Sequence, residues 1–303
     1  MITRHLLLLL LASTPAYAQS AAPEGILLLA HGGAEEWNAR VVALAAGIDK
    51  TQPVEVAFGM ASRPSIQAAV DRLVAGGATA IVAVPLFISP HSSVVTSTEY
   101  LLGVRAEMPP DLRRFATMNH GAAGHGTGEH AGHAAAATAV DNTRPVSSPV
   151  PIRMTGALGR HALVGKILID RARELSRTPE REAVIIVAHG PVKDDENARW
   201  LDDMKSLAGQ MKTASTFAAI DYMTVRDDAP KALRDHAAGE LRAMVEGHSR
   251  AGRRVLIVPL LLSYGGIEKG IRQRLEGLDY EMSNRGLMPD PRLAEWVRQS
   301  VAK

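Results

Sequence analysis

Two histidines occupy the same place in two nearly identical segments of the chain. His31 follows the apolar run of "ILLLAHGG", His189 follows that of "VIIVAHGP", and a glycine comes next in both. A glycine there lets the backbone turn tightly without covering the imidazole. Because neutral imidazole binds divalent cations and accepts protons near physiological pH, the pattern is typical of metal or proton chemistry. A histidine that merely caps a strand would give the same pattern.

A third histidine, His91 in "PLFISPHSS", follows another apolar run. Open parallel α/β sheets bind their ligands beyond the carboxyl ends of the strands. The first and third strands of such a sheet can be neighbours, so we expect His31 and His91 to converge on one metal ion or ligand. In the second segment His189 is retained, but Gly265 stands where His91 stands in the first. Glu268 is a candidate carboxylate ligand there.

Other segments recur in the same order, which indicates two copies of one plan. Asn38-Ala-Arg40 recurs as Asn197-Ala-Arg199, and two further apolar runs both end in Pro-Leu. Continuous apolar strands that alternate with amphipathic helices predict parallel sheets covered on both faces. We therefore expect an α/β fold with two tandem flavodoxin-like domains, each a parallel four-stranded sheet covered by helices. The predicted domains are residues 23–177, closed by a helix at 160–176, and residues 178–303.

Three features of the sequence resemble the class II chelatases, most of all the CbiX/SirB type. They are the strand-His-Gly start, the "VEVAF" strand followed by Pro-Ser-Ile, and the "VPLF" strand before a second histidine. The resemblance implies insertion of Co²⁺ or Fe²⁺, as a substrate, into a sirohydrochlorin-type tetrapyrrole without an organic cofactor. It also implies that His31 and His91 are catalytic, as metal ligands and acceptors of pyrrole protons. Met60 stands where the resemblance predicts an acidic residue.

Residues 109–149 have no counterpart in the second copy. The segment is rich in Gly and Ala and too poor in apolar side chains to offset the entropy of ordering, so we expect a flexible insertion. Its histidines are typical of a metal-binding tract, although a low-complexity linker can also carry them. The candidate ligands in it are His120, His125, His130 and His133.

The start of the chain predicts export. Arg4, a short apolar run and Ala16-Tyr-Ala18 form the pattern of a secretory signal peptide over residues 1–18, cleaved after Ala18. We therefore expect a periplasmic or secreted protein with no transmembrane segment after cleavage. The sequence has no cysteine, which excludes thiolate metal sites and cysteine nucleophiles. A net charge of +2 with scattered Lys and Arg argues against nucleic-acid binding, and the oligomeric state is left open.

Two interpretations of the chemistry remain. The histidine pair and the repeated plan favour a metal chelatase, a lyase that acts on a tetrapyrrole. The methionine at position 60 favours a non-catalytic periplasmic metal-binding or metal-delivery protein on the same scaffold. The sequence excludes an α/β-hydrolase, because no G-x-S-x-G motif lies at a strand-to-helix turn. It also excludes nucleotide binding, because no phosphate-binding glycine motif follows the first strand of either copy.

Overall fold

Each half of the chain forms a parallel four-stranded sheet in the computed structural model, which describes residues 24–48, 52–117 and 141–303. The first sheet, in the order β2-β1-β3-β4, contains β1 (Gly25–Ala30), β2 (Val54–Phe58), β3 (Ile81–Pro85) and β4 (Ile152–Met154). The second, in the order β6-β5-β7-β8, contains β5 (Glu182–Ala188), β6 (Ala219–Thr224), β7 (Arg254–Leu260) and β8 (Glu281–Met282). The shared strand order confirms the predicted α/β fold with two tandem copies.

Helices cover the sheets, and β1 and β5 are buried along their whole length, as expected for parallel strands covered on both faces. The helices are α1 (Glu35–Ala46), α2 (Arg63–Ala75), α3 (Ser93–Leu101), α4 (Leu112–Thr117), α5 (Ala162–Leu175), α6 (Asp194–Thr213), α7 (Lys231–Arg250), α8 (Ile267–Arg274) and α9 (Arg292–Val301). Within the described ranges, none of them has the length and apolar character needed to cross a membrane.

The last helix of each half packs against the other half. Helix α5, which the sequence predicts to close the first sheet, packs against β7 and α6, whereas α9 packs against β3 and α1. One apolar core therefore joins the sheets, with Leu28 and Val84 from the first and Ile186 and Val258 from the second. The repeat pattern could not reveal this exchange, because both helices present an apolar face of the same kind. The boundary at residues 177 and 178 stays a prediction.

Both ends of the predicted flexible insertion pack onto the first half. Leu112 and Phe115 on α4 are buried in the apolar core beside β1 and β3, and the Val146 N–H donates a hydrogen bond to the end of α3. Residues 109–117 and 141–149, at the ends of the predicted insertion, thus have apolar side chains to bury, and the flexibility of the insertion stays a prediction. The four histidines of the tract and the predicted signal peptide lie outside the described residues.

Candidate functional site

The carboxyl ends of β1 and β3 lie side by side in the first sheet. Leu29 pairs with Pro85, and the Leu86 N–H donates a 2.8 Å hydrogen bond to the Leu29 carbonyl. His31 follows directly after β1, and its Nδ1 lies 2.7 Å from the carbonyl oxygen of Gly32. Because a carbonyl only accepts hydrogen bonds, this contact in a neutral ring fits a proton on Nδ1 and the lone pair on Nε2. His31 thus lies at the edge where folds of this kind bind ligands.

The turn after each first strand requires glycine. Gly32 has a φ of 81° and Gly190 a φ of 74°, in the left-handed region that side chains disfavour. A Cβ at Gly190 would lie 2.4 Å from the Cβ of Thr224, whereas one at Gly32 would lie 3.4 Å from the Cβ of Phe58. The backbone conformation therefore explains why a glycine follows the histidine in both halves.

His91 lies where the two halves meet. It belongs to the loop between β3 and α3, and its backbone carbonyl accepts a 3.0 Å hydrogen bond from Nε1 of Trp200 on α6. Its imidazole Nε2 lies 3.8 Å from Oδ2 of Asp203, one helical turn further along α6. The second half of the chain therefore holds the loop that carries this histidine.

A cavity of about 380 Å³ opens beside His91, between the loops that follow β3 and β4. Arg160 and His161 line it together with Asp203, and Nε of Arg160 lies 3.2 Å from Oδ1 of Asp203. Nδ1 of His161 accepts a hydrogen bond from the Leu163 N–H, and burial lowers the pKa of its imidazole. The sequence gives no sign of these three side chains, because α6 and the loop after β4 carry no motif that points to them.

Asp203 is a buried carboxylate with one oxygen unpaired. The residue is 5% exposed, and its Oδ2 has no hydrogen-bond partner among the described residues. Burial raises the pKa of its carboxyl, and the nearby His91 and Arg160 only partly offset this effect. Buried polar atoms in folded proteins are nearly always hydrogen-bonded, and this oxygen is one of a few buried side-chain atoms among the described residues without such a partner.

The equivalent positions of the second half make different contacts. Nε2 of His189 lies 3.4 Å from Oδ2 of Asp228, an exposed residue in the loop after β6. The Glu268 carboxylate accepts hydrogen bonds from the backbone N–H groups of Gly265 and the next residue, so it caps the start of α8. A Cβ at Gly265 would lie 3.3 Å from Cδ1 of Trp37 on α1, which leaves little room for a histidine there.

No three His, Asp or Glu side chains within the described ranges form a group that could hold a metal ion. Met60, at the position where the family resemblance predicts an acidic residue, packs against the apolar core of the first half. The metal-binding and catalytic roles of His31, His91, His189 and Glu268 stay predictions.

The family model of CbiX matches residues 25–175, the segment from β1 to the end of α5 that contains both His31 and His91. This chain belongs to the CbiX family. The match confirms the resemblance seen in the sequence and places the two histidines within the family's own part of the chain. None of the curated proteins compared with this CbiX-family chain matches it.

Two solved structures share the fold of this CbiX-family protein over most of their length. SirB from Bacillus subtilis with Fe³⁺ superposes with a TM-score of 0.61 at 17% identity, over 92% of this chain and 94% of SirB. CbiX, described as the terminal enzyme for biosynthesis of siroheme in denitrifying bacteria, superposes with a TM-score of 0.53 at 15% identity, over 92% of this chain and 98% of the other. At these identities the likeness establishes the fold.

Proposed function

We propose that this protein is a metal chelatase that inserts a divalent metal ion, Co²⁺ or Fe²⁺, into a sirohydrochlorin-type tetrapyrrole. Membership of the CbiX family supports metal insertion into a tetrapyrrole as the class of reaction. The observation that carries the proposal is the presence of His31 and His91 after the neighbouring strands β1 and β3, inside the segment that matches the family.

The reaction needs a metal carrier and proton acceptors. A divalent ion that enters the macrocycle replaces two pyrrole protons, so two protons leave for each metal inserted. Two imidazoles can each release the metal and accept one proton near neutral pH. In a neutral His31 the contact between Nδ1 and the Gly32 carbonyl places the lone pair on Nε2, the atom that would bind the metal ion or accept a proton. At His91 the loop is held from the second half through its backbone carbonyl.

We propose that the reaction takes place outside the cytoplasm. The signal-peptide pattern of residues 1–18 supports export, and His120, His125, His130 and His133 would collect metal ions for the site. The tract would then affect the supply of metal rather than the insertion step.

A second candidate is a non-catalytic metal-binding or metal-delivery protein. Met60 favours it, because its apolar side chain packs against the core where the resemblance predicts an acidic residue. Such a protein would bind the metal through the same histidines and leave the tetrapyrrole unchanged.

Anaerobic metallation of sirohydrochlorin, followed by absorbance, separates the two candidates. We expect a rate above the uncatalysed one with Co²⁺ or Fe²⁺, tested beside Ni²⁺. A variant with Asn at His120, His125, His130 and His133 should keep that rate at saturating metal. Tight metal binding without any rate above background would contradict the chelatase and leave the delivery protein.

A further inference from the structure

The unpaired Oδ2 of Asp203 faces the imidazole of His91 across the boundary between the halves. The side chain of Asp203 is 7% exposed, and its other oxygen, Oδ1, lies 3.2 Å from Nε of Arg160. A buried acceptor without a partner is costly, so natural proteins rarely keep one without a use for it. We propose that Nε2 of His91 and Oδ2 of Asp203 together bind the divalent metal ion before its insertion.

The separation of the two atoms supports a shared cation. A charge-assisted hydrogen bond would bring nitrogen and oxygen to about 2.7–2.9 Å, well below the observed 3.8 Å. Nitrogen and oxygen ligands at about 2.0–2.2 Å from one metal ion lie roughly 3–3.5 Å apart at octahedral or tetrahedral angles. A shift of a few tenths of an ångström in two side chains therefore brings His91 and Asp203 to metal-binding distance.

The internal repeat shows that the fold does not need this pair. Counting from the shared Asn-Ala-Arg, Asp203 corresponds to Leu44 on α1, and His91 corresponds to Gly265. Leu44 packs against the apolar core, so an aliphatic side chain suits this helix position. A buried carboxylate at the same position is less stable than an apolar side chain unless it has a partner. Each copy supplies one member of the pair, and the two equivalent positions, Leu44 in the first copy and Gly265 in the second, supply neither ligand.

The surroundings of His91 and Asp203 suit a metal ion that is bound only until it is inserted. The pair faces the cavity of about 380 Å³, which has room for the water molecules that would complete the coordination. Two protein ligands hold an ion less firmly than the three or four of a permanent site, which favours its release to a macrocycle. The inference rests on the proposed function for the direction of transfer, but the site is testable without a tetrapyrrole.

The test measures Co²⁺ binding to the full chain under anaerobic conditions by calorimetry and visible absorbance. All variants carry Asn at His120, His125, His130 and His133, so that the tract does not obscure a weaker site. We expect D203N and H91N each to weaken Co²⁺ binding by at least about tenfold. D202N is the matched control, because Asp202 is the exposed neighbour on the same helix and the change removes the same charge. Its effect should stay below about twofold.

The double variant H91N/D203N should bind Co²⁺ no more weakly than either single variant, because both changes remove the same site. D203S gives a second measure of the loss of the carboxylate, and circular dichroism checks that each variant is folded. Unchanged Co²⁺ binding in folded D203N and D203S, or an equal loss in D202N, would overturn the inference. A binding loss confined to the pair, without any chelatase activity in the parent protein, would support the site and contradict the proposed function instead.

Discussion

Nε1 of Trp200 donates a 3.0 Å hydrogen bond to the backbone carbonyl of His91, so a helix of the second half fixes a loop of the first. Neither residue could perform this role in an isolated half of the chain. The duplication therefore provides the first half with an external support for its candidate site.

Replacing Trp200 with Phe should loosen that loop while keeping the aromatic ring in place. The lost hydrogen bond is worth about 1 kcal/mol, so the unfolding temperature should fall only slightly. We expect the metallation rate to fall by several fold, because His91 is no longer held in one position. Steady-state rates and thermal unfolding on the same preparation check this, and an unchanged rate would show that the bond does not position His91.

A buried ion pair joins the exchanged helices. The side chains of Arg171 on α5 and Asp290 before α9 are 3% and 6% exposed, and their charged atoms lie 3.4 Å apart. Replacing Arg171 with Met should lower the free energy of unfolding by about 2 kcal/mol, because the Gly286 carbonyl loses its donor and Asp290 keeps only Arg292 as a charged partner. Arg173 is an exposed arginine on the same helix, and its change to Met should cost less than about 0.5 kcal/mol. Equal effects in urea unfolding would show that this ion pair does not stabilise the exchange.

The carboxylate of Asp290 should also make the stability of the protein depend on pH. Burial raises the pKa of Asp290, but hydrogen bonds from Arg292 and the charge of Arg171 outweigh this, so the pKa lies below its ordinary value of 3.8. A pKa that is lower in the folded state gives stability that is fully present above the unfolded value and is lost as pH falls through the folded one.

We therefore expect the free energy of unfolding to decrease below about pH 4, and to decrease less steeply in D290N. Urea titrations of both proteins between pH 6 and about pH 3 measure this difference. Parallel curves would show that Asp290 does not contribute to the acid sensitivity.

The two His-Gly turns should differ in their tolerance of a side chain. G32A adds a Cβ to a left-handed residue with 3.4 Å of clearance, and should cost about 1–2 kcal/mol. G190A adds the same strain and also brings Cβ within 2.4 Å of Thr224, so it should cost clearly more. Urea unfolding of the two variants measures this order, and an equal or reversed cost would contradict it.

Much of this architecture follows from the sequence, because the repeated strand-His-Gly segments and continuous apolar runs determine two parallel sheets. The sequence also predicts that β1 and β3 can be neighbours, which puts His31 and His91 at one edge. The exchange of α5 and α9 was not predictable, because an apolar helix face does not specify which of two similar sheets it covers.

The contacts of His91 could not be predicted from the sequence either. Trp200 and Asp203 lie more than 100 positions away from it, on a helix whose sequence gives no metal-binding spacing. The first turn of that helix is acidic, and acidic residues there ordinarily stabilise the helix by interacting with its dipole. Only the packing of α6 against the loop after β3 identifies Asp203 as different from its acidic neighbours.

The most direct test of the account is a single-turnover measurement with enzyme in excess over sirohydrochlorin and Co²⁺ supplied at saturation under anaerobic conditions. We predict that H31N and H91N each lower the insertion rate by at least about 100-fold, the scale at which the loss of a general base reduces a rate. The variant with Asn at His120, His125, His130 and His133 should match the wild-type rate. Wild-type insertion rates in H31N and H91N would contradict the central claim that these two histidines carry the metal and proton transfer.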